Sequence, residues 1–187
     1  MTINSIPETR NPKPGTRTKR GLIVFASKYG STAEYATLIA QKLHTEALRG
    51  SEAPSEAVSR ADYVVLGSPI YAYSVLPEME EFLEKYQETL AGKTLAAFVV
   101  CGDTMWNPET EEGGNKNLKK LTRFLPVEPF AVAVLGGRMR MDELDEEDRP
   151  RIMAFYERLG REATGYDRME SVDPFVEEIK KVLRDKG

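Results

Sequence analysis

Only one cysteine, Cys101, one histidine, His44, and one tryptophan, Trp106, occur in the 187 residues. A lone cysteine excludes an internal disulfide, and a single Cys with a single His excludes a Cys/His metal cluster, so no metal site is expected. Both shortages suit a reducing compartment, and a cytoplasmic location is the expectation. No apolar run approaches the roughly 20 residues needed to cross a bilayer, which excludes a membrane-spanning helix and leaves only peripheral contact open. Basic residues are not in excess either: 26 Lys and Arg against 30 Asp and Glu give a net charge of -4. Nucleic acid is therefore not an expected partner, because neutralising phosphates takes a clustered basic face. Residues 1–20 are polar and basic toward their end and lack the apolar core of a signal peptide, so they read as a disordered leader. Internal repeats and low-complexity tracts are absent as well.

What the sequence does contain is an alternation. Short apolar runs at Leu22–Ala26, Tyr63–Leu66, Leu95–Val100 and Phe130–Leu135 are separated by segments of helical period. Continuous apolar runs are what strands buried on both faces require, so the fold class is α/β, a doubly wound parallel sheet with helices on both faces. Ala36, Ile39, Ala40, Leu43 and Ala47 form one helical stripe, Met79, Phe82, Leu83, Tyr86 and Leu90 a second, and Leu118, Leu121 and Leu125 suggest a third. Any edge strand within residues 48–60 would be weak or shortened, since that stretch is short and polar. After the last central strand about fifty residues remain. They predict a helix from Pro150 to Leu159, with Ile152, Phe155, Tyr156 and Leu159 on one face, and a closing helix carrying Phe175, Val176, Ile179, Val182 and Leu183. The expectation is one domain over 21–187, in which 137–172 behaves as an inserted segment.

Between the first strand and the first helix lies Ser27-Lys28-Tyr29-Gly30-Ser31-Thr32. Such a turn can hold an anion, because free N–H groups at a helix start point outward and the helix dipole favours negative charge. Ser27, Ser31 and Thr32 offer hydroxyl donors, and Gly30 allows positive φ or close backbone approach. A well-capped turn without a ligand is the alternative reading of this loop taken alone. No G-x-x-x-x-G-K-[ST] or G-x-G-x-x-G follows the strand, which argues against an NTPase or a dinucleotide site. A phosphoacceptor aspartate is also missing, since the strand ends read Ala26-Ser27-Lys28 and Gly67-Ser68-Pro69.

This loop resembles the [ST]-x-x-G-x-[ST] phosphate loop of flavodoxins, and Gly67-Ser68-Pro69-Ile70-Tyr71 resembles the G-S-P-x-Y segment of the same family. The wider run Phe25–Glu34 is most similar to the branch that includes menaquinone-dependent protoporphyrinogen dehydrogenase. The resemblance spans residues 21 to about 137 and implies a flavodoxin-like sheet of order 2-1-3-4-5 that binds FMN. Implied cofactor contacts are Ser27, Lys28, Tyr29, Gly30, Ser31 and Thr32 in the phosphate loop, and Ser68, Pro69, Ile70, Tyr71 and Ala72 beside the ring, with Tyr71 the preferred ring neighbour. Cys101, Gly102, Asp103 and Trp106 would hold the other side, although this third loop departs from the usual tyrosine-containing pattern. Trp106 reads equally as a packing residue, and Cys101 better as a small buried hydrophobe than as a redox thiol. Lys28 is read with its side chain toward solvent. The acidic run Asp142–Asp148 is read as a solvated helix start, and no catalytic residue is assigned.

Two roles follow from the resemblance. One is an FMN oxidoreductase acting on a small-molecule substrate or a quinone; the other is an electron carrier serving a redox partner protein. Short flavodoxins have strongly acidic surfaces that dock basic partners, whereas a net charge of -4 is mild. Arg138 and Arg140 are candidates for binding a carboxylated substrate such as a porphyrin, and pairing with the nearby acidic stretch explains them equally well.

Overall fold

The structure is a computed structural model and describes residues 19–102 and 111–185, with side chains excluded at 111–115. Strand β1 (Gly21–Phe25) forms a five-stranded parallel sheet with β2 (Glu46–Arg49), β3 (Tyr63–Pro69), β4 (Thr94–Val100) and β5 (Ala131–Leu135), in the order β2-β1-β3-β4-β5, with β3 at the centre. Successive side chains of a strand point to opposite faces, so each apolar run feeds two cores. Leu22, Val24, Val64, Leu66, Ala97 and Val99 face α3 (Pro77–Ala91), together with α2 (Ser55–Arg60) and α4 (Glu111–Thr122). Ile23, Phe25, Val65, Ala96, Phe98 and Val100 face α1 (Ser31–Leu43) and α6 (Asp173–Asp185). The expected strand order and the cover on both faces are thus present. Lys19 and Arg20 lead into β1: Lys19 Nζ donates to the Leu183 carbonyl at 3.0 Å, and the Arg20 amide donates to Asp62 at 2.7 Å. The rest of the proposed leader lies outside the described residues.

Two local readings change. The edge strand is found and is short, at Glu46–Arg49, so it overlaps 48–60 only at Leu48 and Arg49, and Ala47 belongs to it instead of to the helical stripe. Helix α1 stops at Leu43 because His44 adopts the left-handed conformation, φ 53°, with its amide bonded to the Gln41 carbonyl and that of Thr45 to Ala40. Ala47, paired with Ile23 in the sheet, still packs into the core beside α1, so its spacing mimicked a helical stripe. His44→Gly should remove the left-handed penalty and raise stability by about 1 kcal/mol, read as a shift of the urea midpoint at unchanged slope.

After β5 the chain makes a two-stranded antiparallel ribbon from β6 (Arg138–Met139) and β7 (Tyr166–Asp167), and between them helix α5 (Asp148–Arg158). Leu159 caps α5 and is 45% exposed, so it leaves the apolar face formed by Ile152, Phe155 and Tyr156. Among the described residues no helix is long and apolar enough to cross a membrane.

Candidate functional site

The C-terminal ends of β1, β3 and β4 open into one cavity of about 400 Å³, the place where a parallel sheet leaves room at its switch point. Its floor comes from Ser27–Tyr29, Ser31 and Thr32, its near wall from Pro69–Tyr73, and its third side from Val100, Cys101 and Gly102. The segment after β5 closes it, through Gly137–Met139 and Tyr166 of the ribbon and through Leu144, Ile152, Phe155 and Tyr156. Three of these lining apolar residues, Ile152, Phe155 and Tyr156, share the α5 face legible in the sequence; that this face looks into the cavity is a tertiary fact.

In the first loop, Gly30 has φ 94° and donates its amide to Ser27 Oγ at 3.2 Å. A Cβ at Gly30 would meet nothing within 4 Å, so glycine is required there by backbone conformation rather than by space. Gly30 is the N-cap of α1 and provides no side-chain hydrogen bond, which leaves the first-turn amides available to an anion. Thr32 and Ser27 are buried. The Ser31 hydroxyl accepts the Arg138 amide at 3.0 Å and lies 3.3 Å from the Arg138 carbonyl, tying the loop to β6.

The second loop is a tight turn. Tyr71 and Ser74 exchange backbone hydrogen bonds of 2.8 and 3.0 Å, which places Ala72 at φ 46° and Tyr73 at φ 69°. For non-glycine residues each such conformation costs about 1–2 kcal/mol, a strain concentrated at the cavity wall. Ser68 is fully buried, accepts the Leu76 amide at 3.2 Å and donates to the Pro69 carbonyl, so its side chain braces this loop and is not among the lining groups. Gly67 has a packing reason: a Cβ there would lie 2.2 Å from the Phe98 ring.

The feature that sequence reasoning missed is Asp148. It has no exposed surface, and Lys28 Nζ reaches it at 2.5 Å and Asp145 at 3.0 Å. The Tyr29 hydroxyl donates to the same carboxylate, and Lys28 Nζ lies 5.1 Å from the Tyr71 ring centre and 5.4 Å from that of Tyr29. Lys28 therefore turns inward to the inserted segment instead of out to solvent, and Asp148 is a buried anchor rather than part of a solvated helix start. Burial pushes the Asp148 carboxyl up, but hydrogen bonds from Lys28, Tyr29 and Tyr71 outweigh it and hold the group below the ordinary carboxylate range. The Asp148 hydrogen bond raises the Lys28 pKa, while burial and then contact with Asp148 keep the Tyr71 phenol neutral well above its usual range. Asp145 organises the turn, accepting the amides of Glu147 and Asp148 at 3.1 and 2.7 Å. No local pattern in the acidic run distinguishes this buried member from its solvated neighbours.

Cys101 is buried in the cavity wall and accepts a hydrogen bond from Asn117 Nδ2 at 3.6 Å, and Gly102 lines the same side. Asp103 and Trp106 lie outside the described residues. Arg138 borders the cavity and is held by Asp167 at 2.9 Å and Glu34 at 3.1 Å. Arg140 pairs with Glu143 at 2.8 Å and is not among the lining residues. Tyr73 also lines the cavity.

No curated protein matches the chain at the level of sequence. Among solved structures, a flavodoxin of Streptococcus pneumonia TIGR4 is 23% identical, with 75% of this chain and 97% of that one covered and a TM-score of 0.48. The two-electron reduced flavodoxin of Megasphaera elsdenii is 20% identical, covering 61% of this chain and 84% of its own, with a TM-score of 0.49. A flavoprotein from Lactobacillus acidophilus NCFM, solved in complex with FMN, is 15% identical over 62% of this chain and 93% of its own, with a TM-score of 0.47. The flavodoxin-domain family model matches residues 22–164, most of the chain and nearly all of the sheet and its covering segment, and the protein belongs to the flavodoxin-domain family.

Proposed function

We propose that this protein is an FMN-dependent redox protein, and more specifically an oxidoreductase. The observation that carries the reading is the meeting, in one cavity, of the uncapped N-terminus of α1, three strand-end loops and a cover of apolar side chains. The residues present fit FMN. The amides of Lys28, Tyr29, Ser31 and Thr32 with the Ser27 and Thr32 hydroxyls would take the phosphate, and Gly30 lets that backbone approach. Pro69, Ile70, Tyr71 and Ala72 would flank the ring on one side and Cys101 and Gly102 on the other, a largely apolar slot with few polar contacts. When bound, the flavin supplies electron and hydride transfer at N5. The protein's own contribution is to hold that ring, to keep water from it through Ile152, Phe155 and Tyr156, and to keep Tyr71 in place through Asp148.

The covering segment supports an enzyme of the protoporphyrinogen-dehydrogenase-like kind over a minimal carrier, because a chamber closed over a ring favours a small substrate. The buried lone Cys101 suits a cytoplasmic setting. A substrate role for Arg138 and Arg140 would require their ion pairs to Asp167, Glu34 and Glu143 to exchange for substrate carboxylates. Purified protein should show the visible absorption of a flavin and release FMN on denaturation. Thr32→Val should weaken FMN binding about tenfold, the worth of one hydrogen bond to an ionised group. A colourless protein that refuses added FMN sinks the redox reading. Turnover of a small substrate with a quinone acceptor supports the enzyme, and activity only with a reductase supports the carrier.

A further inference from the structure

Helix α4 carries Lys116, Lys119 and Lys120, and Arg123 follows in the turn that ends it, its amide still bonded to the Lys119 carbonyl, so the four form one stripe of positive charge at i, i+3, i+4 and i+7 while Asn117, Leu118 and Leu121 are buried. No Asp or Glu occurs from Lys116 to Val127, so a chain of net charge -4 inverts its sign here. The helix opens on Glu111 and Glu112, so the one-sign field belongs to its C-terminal half and the turn after it. The four cations line a shallow concavity of their own, and Lys120 also lines the large cavity, so the stripe runs into the cavity mouth. At that junction Tyr73 is 73% exposed, more than any other large apolar side chain described, with Lys120 Nζ 5.6 Å from its ring centre. Its backbone is left-handed, φ 69°, a conformation that is costly for a non-glycine residue. Arg151 and Arg158 border the cavity from α5, and no described Asp or Glu does.

We propose that the α4 stripe and Tyr73 form the docking surface for an acidic redox partner protein, seated at the mouth of the flavin cavity. This rests on the FMN reading, and its sign is opposite to the acidic docking faces that short flavodoxins use. Tyrosine and arginine are enriched among the residues that carry binding energy, lysines suit the polar rim around them, and a one-sign field steers an oppositely charged partner onto the patch. A net negative chain with one compact basic stripe suits a folded acidic protein better than a nucleic acid, which needs a longer track of phosphate contacts.

The test uses an acidic plant-type ferredoxin as the probe, titrated calorimetrically into the full chain loaded with FMN. At about 20 mM salt, micromolar binding is expected, weakening at least tenfold at about 0.3 M as surface charges are screened. Lys116→Glu with Lys119→Glu and Arg123→Glu should abolish binding at low salt and leave FMN affinity unchanged. Tyr73→Ser should weaken it about fivefold at either salt. Wild-type binding that fails at low salt, or survives the triple charge reversal, overturns the proposal. So does a triple variant that loses affinity for duplex DNA or phosphatidylglycerol vesicles and not for ferredoxin. If the triple variant does not fold, Lys116→Gln with Arg123→Gln must give a smaller loss of the same sign. Should neither form take up FMN, the flavin reading fails, and the ferredoxin titration of the unloaded chain still decides the docking surface.

Discussion

Gly67→Val is expected to remove about 3 kcal/mol of stability, the upper part of the usual range for overpacking a core. Even a Cβ at this position would sit 2.2 Å from Phe98 Cζ, and the Phe98 ring has no exposed surface and packs edge-on to Phe175 at 6.1 Å. The ring cannot withdraw, because it is enclosed between the sheet and α6. For a chain of this length the loss corresponds to about 6–12 °C in melting temperature. Removing the obstacle should reverse the effect: Gly67→Ala combined with Phe98→Ala should cost clearly less than the sum of the two single changes, the sign of direct coupling. Strict additivity would show that the glycine is required by something else. The glycine that opens the G-S-P-x-Y segment thus serves the packing beneath the loop, and the loop above it serves the cavity.

Asp148→Ala should cost about 2 kcal/mol at neutral pH, since it removes a buried carboxylate on which Lys28, Tyr29 and Tyr71 converge. Lys28, with its side chain 32% exposed, can turn back to water, which keeps the penalty below that of a stranded buried charge. The pH dependence has a definite sign. The folded Asp148 pKa lies below its unfolded value of about 3.9, so its contribution is present above that value and lost as pH falls through the folded one. The Lys28 pKa is raised, so its share is complete below about 10.4 and lost only as pH rises through the folded value. The difference between wild type and variant, measured by urea unfolding, should therefore be flat from about pH 5 to pH 9 and shrink as the pH falls below about 4. Limited proteolysis should show the same loosening as faster cutting between residues 140 and 165 in the variant. A pH-independent difference would mean that Asp148 acts by shape alone.

The parts legible in the sequence are those whose cause is local. Leu22–Ala26 and Leu95–Val100 announce buried parallel strands because burial on both faces leaves no room for alternation. Ser27–Thr32 announces a strand-to-helix turn because its small, hydroxyl and glycine residues are chosen by backbone geometry. The edge strand Glu46–Arg49 was obscured because the helix before it ends on His44 in a conformation usually left to glycine. The ribbon of Arg138–Met139 with Tyr166–Asp167 is too short to show any period. Asp148 was hidden for a different reason: within Asp142–Asp148 a buried anchor and a solvated cap are written with the same residues, and only packing against Lys28 and Tyr29 separates them.

The bonds that join the two halves of the cavity also impose an order in time. Ser31 bonds Arg138, 107 positions away, and Tyr29 bonds Asp148, 119 positions away. During synthesis the floor of the chamber leaves the ribosome first, and its roof follows on the order of ten seconds later. A nascent chain thus offers the anion loop well before it can enclose anything above it, and retention of a ligand becomes a property of the finished polypeptide.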